Sequence, residues 1–193
     1  MAVTDIDICS RALVLIGATP ITSFADGTTE STVAANLYED TVRDLLSRFR
    51  WRFASGQAQL SRRVDTPESK WDAAYNLPAD LLLLHDVTVN DNQIEYDRYQ
   101  NLVYCDAAAE DVVVADYTFQ AEEDLWPPYF VTLVELQLAS IFAYSVANQI
   151  NTADFMEKKA LRQMALARNI DSTAQTSRRF DLSRFDKARR TIR

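Results

Sequence analysis

The chain has 193 residues, of which 48% are hydrophobic and 25% charged, and its formal net charge at pH 7 is −8. This length and apolar content predict one domain, or one domain carrying an insertion, with a substantial buried core, and they exclude a wholly disordered chain. Three glycines and five prolines exclude collagen-like and low-complexity sequence. The longest apolar runs are far shorter than the ~20 residues of a membrane-spanning helix, so we expect no membrane segment.

Two helices are predicted in the N-terminal part of the chain. Thr4 is placed to cap the first helix, whose apolar residues recur at helical spacing, and Gly17 followed by Pro20 ends it. Residues 19–29 are rich in Thr, Asp, Gly and Ser, which predicts a loop. The second helix is predicted over residues 31–49, with an apolar stripe on one face and charges on the other. That stripe requires a partner element.

The middle of the chain favours β-structure. Trp51 and Phe53 alternate with arginines and are predicted to enter a strand, with Arg52 turned to solvent. Short polar turns between the later apolar runs favour an antiparallel meander. The four strands predicted in this meander span residues 81–90, 93–99, 102–105 and 112–119.

Two further helices are predicted in the C-terminal part. An almost continuously apolar segment over residues 129–150 begins with Pro127 and Pro128, which a first helical turn tolerates, and is predicted to be the central, most buried helix. A last helix extends to about residue 170, with Asn151 and Asp154 as a capping pair. Its inward face is predicted to carry Phe155, Met156, Ala160, Met164 and Ala167.

These elements predict an α+β fold in which a four-helix body carries an inserted antiparallel β-sheet and an extended C-terminal tail. The body is assigned to residues 1–50 and 121–172, with two helices in each part. Residues 51–120 form the β insertion. A stretch rich in Ser, Thr and Gln separates the body from a basic tail at residues 173–193.

No pattern in the sequence predicts catalysis, a metal site or a cofactor. The chain contains none of the common nucleotide-binding, serine-hydrolase or zinc-protease motifs. Cys9 and Cys105 are expected to be buried thiols, and His85, placed on the apolar side of its strand, a core or rim histidine. The acidic residues 122–124 are expected to form a solvated loop. The sequence therefore predicts that the protein is not an enzyme.

The run from Arg48 to Phe53 interleaves cations with aromatic rings, and two interpretations remain open. A strand of this composition could stack on nucleic-acid bases. Alternatively, Arg48 and Arg50 complement the dipole at the end of the second helix while Trp51 and Phe53 enter the next strand.

The C-terminal tail carries the strongest local signal. Seven basic residues against two acidic ones give residues 173–193 a net charge of +5, whereas the remainder of the chain carries −13. Burial of a Phe contributes roughly 1.5–3 kcal/mol and an exposed ion pair about 0–1 kcal/mol, so the aromatic residues should anchor the tail and the arginines orient it. This favours a peptide that docks into a protein groove, and the alternatives are a nucleic-acid-binding tail and a solvated cationic tail whose aromatic residues are incidental. The predicted docking residues are Arg178, Arg179, Phe180, Leu182, Arg184, Phe185, Lys187, Arg189 and Arg190.

The order of certain residues along the chain carries a family resemblance. In the N-terminal part these residues are Ala12, Leu13, Ile16, Gly17, Pro20, Ile21, Ala34, Leu37, Tyr38, Arg43, Leu45, Leu46, Trp51 and Phe53. Further along they are Leu77, Pro78, Asp80, Pro128 and Phe130. In these residues the sequence resembles the tail tubular protein A and head-to-tail adaptor family of tailed phages and gene transfer agents. The resemblance spans about residues 5–172 and does not include the tail.

The resemblance implies a structural role without catalytic residues or cofactors. Members of this family form a dodecameric ring beneath the portal, at the neck of the particle. They assemble in the host cytoplasm. The implied partners are the portal protein, a tail-side connector or nozzle protein, and further copies of the chain. DNA passes through the channel without sequence-specific binding, and the C-terminal segment is expected to contact the portal.

Overall fold

The computed structural model describes residues 3–65, 67 and 70–174. Within these residues the chain forms an α+β fold with four α-helices and two antiparallel sheets. The helices are α1 (Asp5–Leu15), α2 (Thr29–Ser47), α3 (Pro128–Ser145) and α4 (Ile150–Thr173), with a 3₁₀ turn at Glu123–Leu125. The strands are β1 (Ser55–Gln59), β2 (Ser61–Arg62), β3 (Ala73–Asn76), β4 (Leu81–Val89), β5 (Asn92–Gln93), β6 (Tyr96–Tyr99), β7 (Leu102–Cys105) and β8 (Val113–Phe119).

The predicted ends of α1 are confirmed. The Thr4 side chain accepts a hydrogen bond from the backbone N–H of Asp7, whose carboxylate in turn accepts one from the backbone N–H of Thr4, each at 3.2 Å. At the other end Gly17 has a φ of +75°, and the N–H of Ala18 donates to the carbonyl of Leu13 at 3.0 Å. Glycine adopts this left-handed conformation without the strain that a Cβ would introduce, so the helix stops where the sequence indicated.

Helix α3 lies at the centre of the helical body, as predicted, and α1, α2 and α4 all pack against it. It ends at Ser145, five residues before the predicted end. The chain reverses at Asn148, whose φ is +52°, and the N–H of Gln149 donates to the carbonyl of Ala143 at 2.8 Å. The apolar pattern continues through this reversal and conceals it.

In the described part of the chain no helix is both long and apolar enough to cross a bilayer.

Helix α4 begins at Ile150 and extends to Thr173, three residues beyond the predicted end. The predicted capping pair of Asn151 and Asp154 is wrong, because Gln149 occupies the N-cap position and makes no side-chain capping bond. Phe155, predicted to face inward, is 54% exposed. The other four predicted inward residues, Met156, Ala160, Met164 and Ala167, are buried.

The strands form two four-stranded sheets rather than one meander. The first has the order β1-β8-β4-β5 and the second the order β2-β3-β7-β6. The single strand predicted at residues 93–99 is therefore wrong: β5 continues the hairpin with β4, and β6 pairs with β7 in the other sheet. The chain changes sheets between Gln93 and Tyr96, where alternation of apolar residues gives no sign of a break.

The two sheets pack face to face around a second apolar core. Val87, Val113 and Ala115 of the first sheet meet Tyr75 and Val103 of the second, all of them buried. The opposite face of the first sheet lies toward the helical body. The first sheet thus separates the inter-sheet core from the helical core.

Two irregularities in β4 alter the predicted direction of its side chains. The pairing with β8 shifts register between Leu81 and Leu83 and again between Leu84 and Asp86. As a result Leu84 packs against the inter-sheet core and Leu82 against the helical core, while Leu83 is exposed. Each register shift adds a residue that breaks the period of two on which the prediction relied.

Trp51 and Phe53 do not enter a strand, which corrects the sequence prediction, because β1 begins only at Ser55. Trp51 is 0% exposed, and its indole N–H donates to the carbonyl of Leu45 at 2.9 Å. Its ring centroid lies 5.0 Å from that of Phe49 and 5.1 Å from that of Phe130 on α3. Burial of these rings in the helical core holds residues 51–54 against the helices instead of in the sheet.

We expect Trp51→Ala to lower the free energy of unfolding by about 3–5 kcal/mol, because it removes a fully buried ring and leaves a cavity beside α3. Urea denaturation followed by far-UV circular dichroism measures the loss. Tyr144→Ala, which truncates a ring that is 66% exposed, is the control. Equal stabilities of the two variants would contradict the central position of Trp51.

Candidate functional site at the root of the C-terminal segment

The residues predicted to dock onto a partner lie in residues 175–193, outside the described part of the chain. Their prediction therefore stays a prediction. The residues concerned are Arg178, Arg179, Phe180, Leu182, Arg184, Phe185, Lys187, Arg189 and Arg190. The described chain ends at Ala174, the C-cap of α4, so the residues packed around the last turns of that helix are described below.

A buried carboxylate holds the last turn of α4. Asp171 is 2% exposed, and its Oδ1 accepts a hydrogen bond from the Tyr129 hydroxyl at 2.8 Å. The backbone N–H of Arg52 lies 3.3 and 3.2 Å from the two carboxylate oxygens, and the Arg52 Nε lies 4.0 Å from Oδ2. A charge so deeply buried is tolerated only where donors and a countercharge surround it. These contacts tie α4 to α3 and to the loop after α2.

A second set of contacts lies one turn earlier on α4. The guanidinium of Arg168 donates to the backbone carbonyl of Arg48 at 3.1 Å, and its central carbon lies 5.3 Å from the ring centroid of Phe49. The carbonyl belongs to the C-cap of α2, where a helix favours a cation. We call these residues, Arg48, Phe49, Arg52, Tyr129, Arg168 and Asp171, the tail root.

Sequence reasoning missed the importance of Asp171, although the sequence contains a signal. Asp171 follows Ala167 by four residues and Met164 by seven, which places it on the apolar stripe of α4. An acidic residue on a stripe that faces the core must find partners there. Its partners are Tyr129 and Arg52. Both are distant in sequence, and no pattern around them predicts a contact with Asp171.

The arginines between Arg48 and Phe53 form intramolecular ion pairs. Arg48 lies 2.6 Å from Asp44, Arg50 pairs with Asp116 of β8, and Arg52 contacts Asp171. The aromatic rings between them pack in or against the helical core. This arrangement favours the interpretation in which the run ends α2 and gives no support to the stacking of bases on a strand.

The chemically reactive side chains of the described residues are occupied or buried. His85 Nε2 lies 2.7 Å from the Thr118 hydroxyl, and burial together with the nearby Arg50 lowers the pKa of His85. Both cysteines are free and fully buried, as predicted. Burial raises the pKa of the Cys9 thiol to about 12 and that of Cys105 to about 11. These thiols stay protonated near neutral pH.

The acidic turn near α3 serves a structural contact. The Glu123 carboxylate accepts a hydrogen bond from the Tyr38 hydroxyl at 2.9 Å, which connects the turn to α2. Burial and this carboxylate raise the pKa of Tyr38. In the residues that the structure describes, no group of three or more His, Cys, Asp or Glu side chains is arranged to hold a metal ion.

Two open grooves are lined by described residues of the helical body. One, of about 460 Å³, runs between α2, α3 and α4 and includes Tyr144, Asp154 and Glu157. The other, of about 340 Å³, lies near the ion pair of Arg11 and Glu135. The two buried side-chain atoms without a hydrogen-bond partner in the described chain, Tyr75 Oη and Arg168 Nε, line neither groove. Within the described chain, neither groove is therefore lined by an unpartnered buried side-chain atom that would fix a small ligand.

No family model matches the chain, and no curated protein shows significant similarity to it. The resemblance to head-to-tail adaptors therefore depends on the residues named above. Many of them, including Leu13, Ala34, Leu45 and Trp51, are buried in the helical core. Because these residues are buried, their resemblance to the family supports a similar fold more directly than it supports binding to a portal protein.

We expect Tyr129→Phe to lower the free energy of unfolding by about 1.5–3 kcal/mol, since it removes a hydrogen bond to a carboxylate. In an Asp171→Ala background the same change should cost less than half as much, because the acceptor is absent. Urea denaturation of the four proteins in this cycle measures the coupling. Asn169→Ala, at an exposed position of the same turn, is the control. Additive losses would show that the two side chains do not interact.

The buried thiols make the stability of the protein depend on alkaline pH. Because folding raises their pKa from 9.0 to about 12 for Cys9 and about 11 for Cys105, the folded state retains protons that the unfolded state loses. The free energy of unfolding therefore falls as the pH rises above about 9. A thiol reagent such as Ellman's reagent should react with both cysteines near pH 9 in urea but not in buffer. Equal reaction in both solutions would contradict burial.

Proposed function

We propose that this chain is a structural head-tail connector of a tailed phage or gene transfer agent. In this proposal copies of the chain form a ring, most simply a dodecamer, beneath the portal and join it to a tail-side connector or nozzle protein around the DNA channel. The protein is then a component of the virion neck, assembled in the host cytoplasm. Residues 178–190 bind the portal.

The tail root is the observation that carries the proposal. Asp171 and Arg168 fix the last turns of α4 to α3 and to the loop after α2, and the described chain ends three residues later, at Ala174. The basic, aromatic segment that follows is therefore attached to a defined place on the body. A docking peptide attached in this way has a higher effective concentration at its site once neighbouring copies engage.

The chemistry of the described residues favours a structural role. A nucleophile is activated by a neighbouring base, by a lowered pKa or by a metal ion, whereas the Cys9 and Cys105 thiols are buried and have raised pKa values. His85, the single histidine, is hydrogen-bonded to Thr118 on the first sheet. The two thiols and the imidazole therefore suit a structural role better than acid–base catalysis.

The charge of the body suits a channel that DNA traverses. Residues 1–172 carry a net charge of −13, and several exposed arginines are paired with carboxylates, including Arg11 with Glu135 and Arg43 with Glu39. Such a surface weakens the phosphate contacts that dominate nonspecific DNA binding. This supports passage of DNA without capture.

A nucleic-acid-binding module remains the alternative function. It cannot use the run from Arg48 to Phe53 as predicted, because those arginines are paired and the rings are packed. It would therefore depend on the basic tail alone.

Deletion of residues 175–193 should leave the body folded, because it spares α4 and the tail root, and should abolish binding to portal rings. Cosedimentation with purified portal rings from the same phage or gene transfer agent measures binding, and circular dichroism checks the fold. The matched variant Phe180→Ala/Phe185→Ala keeps the charge of the tail and is also expected to lose binding, because the aromatic residues are the anchors.

Two outcomes would contradict this proposal. Normal portal binding by the truncated chain would show that the tail is not the anchor. Tail-dependent binding of duplex DNA with a log-log salt slope near −0.9 per phosphate, without portal binding, would instead support the nucleic-acid alternative.

A further inference from the structure

Helix α4 carries an exposed apolar stripe on the side turned away from α3. Phe155, Leu166 and Ile170 are 54%, 57% and 49% exposed. Their spacing of eleven and four residues places them on one side of the helix. Large apolar residues aligned in this way on a surface indicate an interface with another molecule.

The same surface of α4 is basic, although the body is acidic. Lys159 and Arg162 are exposed between these apolar residues, and residues 158–170 contain no acidic residue. Lys159 Nζ lies 4.7 Å from the ring centroid of Phe155, so the cation and the ring share one patch. We call Phe155, Lys159, Arg162, Leu166 and Ile170 the α4 stripe. Its charge excludes the basic tail as a favourable occupant, because the two would repel.

Helix α2 offers a surface of the opposite character. Its outward side carries Glu39, Asp40 and Asp44 around the small residue Ala35, all of them exposed. Arg43 lies 3.7 Å from Glu39 and partly neutralises this side. Asp40, by contrast, has neither an ion pair nor a side-chain hydrogen bond within the described chain. We call Ala35, Asn36, Glu39, Asp40 and Arg43 the α2 face.

We propose that the α4 stripe of one copy binds the α2 face of the next. The apolar residues of the stripe then meet Ala35, and cations such as Arg162, which has no ion pair within the described chain, meet carboxylates such as Asp40. Because the two surfaces are different parts of one chain, the contact is heterologous, and repetition of it closes a ring or extends a filament. The proposal deepens the proposed function, on which its ring geometry rests, by naming the surfaces that join neighbouring copies.

Cysteine cross-linking tests this contact. Ala35→Cys and Leu166→Cys are made in separate full-length proteins, in which the buried native thiols do not react. A short bismaleimide should join the two proteins when they are mixed, free or with portal rings. The double variant Ala35→Cys/Leu166→Cys should give a ladder beyond the dimer. Tyr99→Cys, exposed on β6, is the control for random collision.

Charge reversal adds a second readout. Arg162→Glu in the Leu166→Cys protein should reduce the mixed product about tenfold, because it places like charges together. Asp40→Lys in the Ala35→Cys protein should restore the product. Recovery in the paired variants shows that the loss comes from the contact and not from misfolding.

Three outcomes would overturn the proposal. Cross-linking no better than that of Tyr99→Cys would show that the surfaces do not meet, and efficient self-reaction of Leu166→Cys alone would show that α4 pairs with α4. A yield of mixed product that does not change with the charge reversals would show that these charges do not guide the contact. None of these variants alters residues 175–193, so tail-dependent portal binding alongside a failed cross-link would leave the proposed function standing.

Discussion

The burial of α3 on several sides is the constraint on which the rest of the structure depends. An almost wholly apolar helix of 18 residues must be covered, and α1, α2 and α4 each cover part of it. The aromatic residues after α2 cover another part, with Trp51 and Phe53 packed against Phe130. The start of the first sheet and the position of α4 follow from this packing. The outward side of α4 remains exposed because only one side of that helix is needed to cover α3.

The helices were largely predictable because their signals are local. Thr4 and Gly17 determine the ends of α1 through hydrogen bonds and backbone conformation within a few residues. The errors occur where distant contacts override a local period. Trp51 leaves the strand pattern to join α3, and the register shifts in β4 turn Leu83 outward. The change of sheets between β5 and β6 likewise depends on partners that the local sequence does not specify.

The candidate site was predictable in part. Composition alone indicated that the basic tail is set apart from the acidic body. The tail root was not predicted, because the partners that stabilise the buried Asp171 carboxylate, Tyr129 and Arg52, are remote from it in sequence. The α4 stripe was also missed, since periodicity cannot distinguish an apolar residue that covers the core from one that faces outward. Phe155 was assigned to the wrong side for this reason.

The position of the tail root at the end of α4 has a consequence for a force applied at Ala174. A pull on Ala174 along the axis of α4 would slide that helix lengthwise past α3 rather than peel it away. Contacts loaded in shear resist together, whereas contacts that are peeled fail one after another. Asp171 and Arg168 lie within the last turns of α4, where such a load would enter the fold. Tension applied at Ala174 would therefore be shared among the contacts along α4 instead of falling on one of them.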